Sequence, residues 1–311
     1  MVINMYNGII NIHKEAGFTS HDVVAKMRGI LRQKKIGHTG TLDPQATGVL
    51  PVCLGSGTKL CDMLTDRDKE YVAELLLGVS TDSQDTTGRI LQERPVEVSE
   101  TQVREAALGF LGQYEQIPPM YSALKVDGKK LYELARAGKE VERKARPVFI
   151  HELEILNMAL PVVQMRVVCS KGTYIRTLCS DIGEKLGCGG AMQSLVRTRV
   201  GRFILDGAVT LTELEALRDA GQIGKVLVPV DKLFEDCPAL HVQGQFGRLL
   251  ENGNAIYPNQ TREKERYATG QQVRFYHENE TFAGVYAYDE ERKYYKPVKM
   301  FLEDRSNGTD S

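Results

Sequence analysis

The sequence has no Cys-x-x-Cys pair, although it has six cysteines, at positions 53, 61, 169, 179, 188 and 237. No histidine cluster accompanies them. Neither a zinc site nor a disulfide framework is supported. Several of these cysteines lie in apolar surroundings and read as reduced, buried thiols, which predicts a cytoplasmic protein. No apolar run approaches the roughly 20 residues needed to cross a membrane. The N-terminus lacks a basic region followed by an apolar core, so no signal peptide is expected. Internal repeats and low-complexity tracts are absent too. An excess of charge is also missing: Lys plus Arg is 40 and Asp plus Glu is 41, a net charge of −1 over 311 residues. That total argues for no particular partner.

The distribution of charge does argue for one. From Val23 to Leu42 there are five basic residues and no acidic one. Lys125 to Arg146 carries eight basic and four acidic residues, and Gln164 to Leu205 seven basic and two acidic. Asp66 to Glu105 runs the other way, with ten acidic and five basic. Each run alone is a solvated face. Together they suggest one positive surface, the footprint of a polyanion site.

The length suggests a large domain plus a smaller one. Apolar spacing predicts a helix over 20–35 with Ser20 as its cap, and another over 174–186. Ser99 and Gln102 form a capping box that opens a helix over 99–108. Strands are expected over 49–54, 71–77, 147–156, 162–168 and 192–200. They mix with helices without strict alternation, which favours an α+β fold over a doubly wound sheet. Short strands over 272–276, 282–288 and 294–300 suggest a small C-terminal β-barrel. Residues 113–146 interrupt the strand pattern with a basic, turn-rich insertion, as a functional arm would.

Gly37-His38-Thr39-Gly40-Thr41-Leu42-Asp43-Pro44 stands out. Two glycines and a proline break regular structure, so Asp43 sits in a loop held between a helix and an apolar run. Such a loop has two readings. Asp43 could cap backbone amides in an Asx-type turn, or it could be a carboxylate placed for chemistry.

Three further segments accompany this loop. They are Lys14-x-x-Gly17-x-Thr19-Ser20, Lys69-Glu70-Tyr71, and Ser170-Lys171-Gly172-Thr173-Tyr174-Ile175-Arg176-Thr177-Leu178, followed by Leu195-Val196-Arg197-Thr198. In this order and spacing the set resembles the TruB family of tRNA pseudouridine synthases. The first element departs from the family in having Glu15 where proline is usual. The resemblance implies a pseudouridine synthase fold with a mixed, mainly antiparallel sheet. It implies a catalytic domain over 1–236 with an RNA-gripping thumb at 113–146, a PUA-like RNA-binding domain over 237–302, and a flexible tail over 303–311.

The implied reaction converts uridine 55 of the tRNA T-loop to pseudouridine. The N-glycosidic bond breaks, the base turns, and it rejoins through C5. Nothing is oxidised or transferred in, so no cofactor and no metal are expected. The family's catalytic aspartate maps onto Asp43, and Arg176 resembles the arginine paired with it. Tyr71 could stack on the extruded base and help with the C5 proton; otherwise it is a cross-strand contact. Tyr174 and Leu195 resemble residues lining the uridine pocket. His38 resembles the residue that fills the space left by the flipped base. Lys14 is expected near the pocket as backbone or phosphate support, and Lys125, Lys129 and Lys130 on the arm as phosphate contacts. The resemblance implies the stand-alone bacterial type, a monomer binding the T-arm of tRNA with no obligatory protein partner. Two alternatives remain: a tRNA-binding or tRNA-folding protein in which catalysis is secondary, and a hydrolase using Asp43 as nucleophile, for which no second motif carboxylate is visible.

Overall fold

The computed structural model describes residues 5–302 except Ala123 and Asp127; the tail 303–311 lies outside the described residues. The chain opens with strand β1 (Gly8–Lys14), helix α1 (Ser20–Leu31), strands β2 (Ile36–His38) and β3 (Thr47–Leu54), and the short helix α2 (Cys61–Thr65). Strand β4 (Lys69–Leu77) leads to the hairpin β5 (Val79–Thr81) and β6 (Ile90–Glu93), then to helix α3 (Glu100–Leu108) and strand β7 (Gly112–Gln116). The arm carries β8 (Lys125–Val126), β9 (Lys129–Lys130) and α4 (Leu131–Arg136). Next come β10 (Arg146–Ala159), β11 (Val162–Cys169), α5 (Ile175–Lys185), β12 (Gly190–Val200), β13 (Phe203–Ile204), α6 (Leu211–Asp219) and β14 (Leu227–Val228). The C-terminal part holds β15 (Ala239–His241), α7 (Gly247–Glu251), β16 (Gln272–Tyr276), β17 (Phe282–Asp289) and β18 (Tyr294–Met300).

Helix α1 is shorter than its apolar spacing predicts. Arg32 adopts a left-handed conformation (φ 51°) and its N–H bonds to the Arg28 carbonyl, which closes the helix. Its cap is Thr19, whose hydroxyl accepts from the Asp22 amide while the Asp22 carboxylate accepts from the Thr19 amide. Ser20 is thereby free for another task, described below. The Ser99–Gln102 capping box forms as expected.

Ten strands make one sheet in the order β14-β1-β3-β12-β4-β11-β10-β7, with β2 added on β3 and β13 on β12. Only the β3–β12 pairing is parallel; the other pairings are antiparallel. The sheet is therefore mixed and mainly antiparallel, as the α+β reading requires. Strand β4 alternates perfectly, with Tyr71, Ala73, Leu75 and Leu77 buried. These residues pack with Val163, Met165 and Val167 of β11 under α3 and α5. A second cluster lies under α1 and α6.

Backbone contact replaces side-chain contact at two glycines. At Gly48 (φ +105°) a Cβ would lie 2.2 Å from the Arg197 carbonyl oxygen, so only glycine lets β3 meet β12 there. At Gly183 in α5 a Cβ would lie 2.2 Å from the Gly190 nitrogen. Helix α5 thus rests directly on the main chain at the start of β12.

The C-terminal strands form a four-stranded sheet in the order β15-β16-β17-β18. Among the described residues the expected barrel is open; isolated bridges pair Ile256 with Tyr295 and Val242 with Thr261. One side of this sheet covers the larger part of the chain instead of facing solvent: Val285 and Phe301 pack with Leu60, Val230 and Phe234. Lys59 Nζ donates to the Met300 carbonyl at 3.1 Å, and Tyr276 donates to Asp231 at 2.9 Å. The junction near 236 is a packed seam, not a linker. At the arm, Gln113–Gln116 belong to edge strand β7, paired with β10.

Candidate active site

The loop holding Asp43 is fixed by side chains from four directions. Ser20, released from capping, accepts a hydrogen bond from the Leu42 amide at 2.9 Å. Thr39 donates to the Pro51 carbonyl from both its amide and its hydroxyl. Lys14 is fully buried, and its ammonium donates to the carbonyls of Glu15, Pro44 and Ala46 at 3.0, 3.0 and 2.6 Å. Arg197 is 2% exposed and donates to Val49, Thr41 and Gly40 carbonyls. A turn is closed by the main chain, with the Ala46 amide donating to the Asp43 carbonyl.

The Asp43 carboxylate is consequently free of turn duty. Among the described residues it takes no main-chain amide; it takes Arg176. Arg176 Nε lies 3.0 Å from Oδ2 and Nη2 lies 3.3 Å from Oδ1, a two-pronged pair. The Asx-turn reading of Asp43 therefore does not hold. The pair is one-sided in exposure: the Arg176 side chain is 6% exposed and that of Asp43 is 38%. Arg176 itself is held from behind by the Ser83 carbonyl (3.1 Å), the Tyr121 carbonyl (2.7 Å) and Asp85 Oδ2 (3.4 Å). Burial pushes the Asp43 carboxyl above the ordinary value, with Asp85 adding to the rise; Arg176 and Lys14 pull against it. Burial lowers Lys14 to about 8, with Asp43 opposing the change.

The other expected site residues fall in different places. Tyr71 on β4 is 8% exposed, opposite Arg197 in register, and shares a cluster with Leu42, Ala46 and Leu195. Burial raises its phenol, so Tyr71 is neutral across the working pH range. Leu195 lies opposite Ala73 on β12. Tyr174 is the N-cap residue of α5, two residues before Arg176. His38 ends β2; its Nδ1 accepts from the Gly40 amide at 3.3 Å, which places the ring proton on Nε2. Burial, then His21 and Arg197, lower His38, so the imidazole is neutral. The His21 ring meets it edge-on at 5.1 Å. Lys129 and Lys130 sit on the arm hairpin, apart from the Asp43 cluster; Lys130 and Arg136 both lie over the Tyr132 ring. Lys125 pairs with Lys130 through the main chain, and its side chain lies outside the described residues.

Asp85 carries no mark in the sequence that sets it apart from its neighbours. It belongs to the acidic stretch 66–105, which has the composition of a solvated face. Its one signal is the turn composition Asp85-Thr86-Thr87-Gly88. Its Oδ1 accepts from Ser83, from the Thr87 amide and from the Thr87 hydroxyl, which leaves Oδ2 aimed at Arg176. A second carboxylate is thus present, but it is spent on the arginine.

Comparison with known proteins shows the family. The family model described as TruB family pseudouridylate synthase, N-terminal domain, matches residues 28–175, and the tRNA pseudouridylate synthase B C-terminal domain matches 176–235. A tRNA pseudouridine synthase B of Lachnoclostridium phytofermentans is 53% identical over 306 residues, covering 95% of this chain and 100% of the relative. The chain belongs to the TruB family of pseudouridylate synthases. Another family member, the tRNA pseudouridine synthase B of Alkaliphilus oremlandii, is 48% identical over 96% of this chain and 99% of its own length. Among solved structures, a chain of a Cbf5-Nop10-Gar1 complex superposes with a TM-score of 0.70 at 26% identity, covering 96% of this chain and 86% of that one. A chain of an H/ACA RNP bound to a substrate RNA containing 2'-deoxyuridine gives a TM-score of 0.68 at 25% identity, over 95% of this chain and 85% of its own. The TruB segments meet at 175/176, so the Asp43–Arg176 pair joins the two family domains. Among the described residues no helix is long and apolar enough to cross a membrane.

Proposed function

We propose that this TruB family member isomerises uridine 55 in the T-loop of tRNA to pseudouridine, with Asp43 as the catalytic carboxylate acting on a flipped-out uridine. The supporting observation is the half-open ion pair: a carboxylate released from backbone bonds, facing outward, and gripped from the buried side by Arg176. Substrate and product are isomers. The C1'–N1 bond breaks, a C1'–C5 bond forms, and the proton on C5 moves to N1 by way of solvent or a nearby group. Asp43 acts while ionised, as nucleophile or as the counter-charge to the sugar. Arg176 keeps it ionised despite burial and fixes its two oxygens. The neutral Tyr71 ring offers a stacking face at the cluster's edge. Neutral His38 takes the space the base vacates, and unstacking costs a few kcal/mol. Lys14 acts through the backbone of the loop, not through phosphate. Tyr174 and Leu195 line the base pocket.

The arm (113–146), with Lys125, Lys129 and Lys130, grips the T-arm, and the unit 237–302 serves as a PUA-like second RNA contact beside the catalytic domain 1–236. The enzyme acts as a cytoplasmic monomer without a protein partner or cofactor. The test is release of tritium from C5-labelled uridine in a tRNA transcript. Wild-type protein releases it and Asp43→Asn does not, while both bind the transcript. Folded wild-type protein that releases none defeats the proposal.

A further inference from the structure

Edge strand β7 is where the arm leaves the sheet, and it touches α5 twice. Gln116 is 1% exposed. Its amide group clamps the Tyr174 main chain on both sides: Oε1 accepts from the Tyr174 amide at 2.7 Å, and Nε2 donates to the Tyr174 carbonyl at 3.0 Å. Tyr174 is the N-cap of α5, and its own side chain makes no capping bond. A helix start without a cap is the part of the helix most free to fray. Two positions earlier on the same face of β7, the Tyr114 hydroxyl donates to Asp181 Oδ2 at 3.2 Å, and Gln116 Nε2 also reaches that hydroxyl. Tyr174 and Asp181 are seven residues apart, about two turns or roughly 10 Å along the helix. The two contacts, two turns apart, hold the face of α5 turned toward β7, while Gly183 seats the helix on β12 and Thr177 ties it to Gln84. A third tie comes from the same segment, where the Tyr121 carbonyl accepts from Arg176 Nη2 at 2.7 Å.

We propose that Gln116 is a positioning residue for the reaction, acting through Arg176 by locking the arm root to the first turn of α5. This role presupposes the function proposed above. The two prongs on Asp43 demand that the α5 N-terminus hold its place, since small displacements of a positioned group cost up to about 10²-fold in rate. While one turn on the Thr177 hydroxyl donates to Gln84 Oε1 at 2.7 Å, the side chain that holds the Tyr174 main chain at the helix start comes from the arm root. The same residue therefore joins the part that grips RNA to the part that orients the carboxylate. When the arm root shifts, the ion pair shifts with it.

The experiment compares full-length wild type, Gln116→Met, Gln116→Glu and Tyr114→Phe. Readouts are tritium release across pH, binding of the transcript, and thermal melting. Gln116→Met should lower kcat by about 10–10²-fold with transcript binding unchanged. The acid limb of its kcat profile should move to higher pH, because Arg176 is the main group holding the Asp43 carboxyl down. Gln116→Glu should fall at least as far, since a carboxylate oxygen faces the Tyr174 carbonyl. Tyr114→Phe removes the second contact and should shift the limb the same way with a smaller loss. It also keeps the question answerable should Gln116→Met fail to fold. Wild-type kcat in Gln116→Met overturns the inference. So does a kcat that falls with melting temperature while the acid limb stays put in both folded variants. Absence of tritium release from wild type would instead sink the functional reading on which the inference stands.

Discussion

The cluster around Asp43 and the arm between β7 and β10 are built on opposite plans. Around Asp43, Lys14, Arg176 and Arg197 are all at most 5% exposed as residues, and each donates to carbonyls of other segments. On the arm, Lys129 is exposed and Lys130 half-buried, on strands of two residues each. Buried bonds from several segments to one loop preorganise a single carboxylate; the hairpin presents its cations on strands of two residues. The contrast teaches where each kind of positive charge is spent. Buried cations arrange the backbone and the carboxylate, and the arm's Lys129 faces solvent. The formal charge near zero hides this division.

The contrast breaks if a buried charge proves to act on binding, or an exposed one on turnover. Asp43→Asn should abolish measurable tritium release while transcript binding stays near wild type; a parallel loss of binding would place Asp43 in the grip. Arg176→Lys should come next, with kcat down by about 10²-fold or more, because an ammonium cannot make the two-pronged contact. Single-turnover rates check this.

The pH profile should show smaller effects on both sides. The Asp43 carboxyl is raised, so it takes up its proton, and activity falls, at a higher pH than the ordinary aspartate value near 3.8. On the alkaline side Lys14 loses its proton near pH 8 and then has two N–H groups for three carbonyls. Turnover should decline there, and the decline should be missing from Lys14→Met. Stability moves the other way. From about 8 up to the unfolded lysine value near 10.5 the unfolded chain holds more protons, so this group's contribution rises with pH. Melting temperature and kcat measured together across that range separate the two. The smallest change in turnover should come from the arm. Replacing Lys125, Lys129 and Lys130 with Gln should leave saturated kcat intact and lower the slope of log affinity against log salt by about 1 for each phosphate no longer neutralised. An unchanged slope removes the arm from the interface.

Local chemistry is readable in the sequence, and long-range pairing is not. Two glycines and Pro44 mark the Asp43 loop, alternation marks β4, and the Ser99 box marks α3. The end of α1 escapes because it depends on a left-handed Arg32, which apolar spacing does not report. Thr19 and Ser20 are both good capping residues, and only the fold shows that Leu42 claims the second. Asp85 and Gln116 are invisible for a deeper reason. Asp85 reaches Arg176 across 91 residues, and Gln116 reaches Tyr174 across 58. The first meeting depends on β12 lying beside β4, where Asp85 bridges Met192, and the second on β7 adding to β10 at the far edge of the sheet. The open C-terminal sheet has a similar origin: Val285 is covered by Leu60, Val230 and Phe234, and Val273, Phe275 and Tyr286 pack with Leu250 and Ile256 from the connecting segments.

The missing side chain at Gly183 limits how this scaffold can be altered. With helix and strand in main-chain contact, the arginine-bearing helix has no compressible layer on which to slide toward a differently shaped RNA. Anyone retargeting the enzyme would do better to leave that helix alone and vary the hairpin of the arm, where Gly128 and Lys129 are exposed.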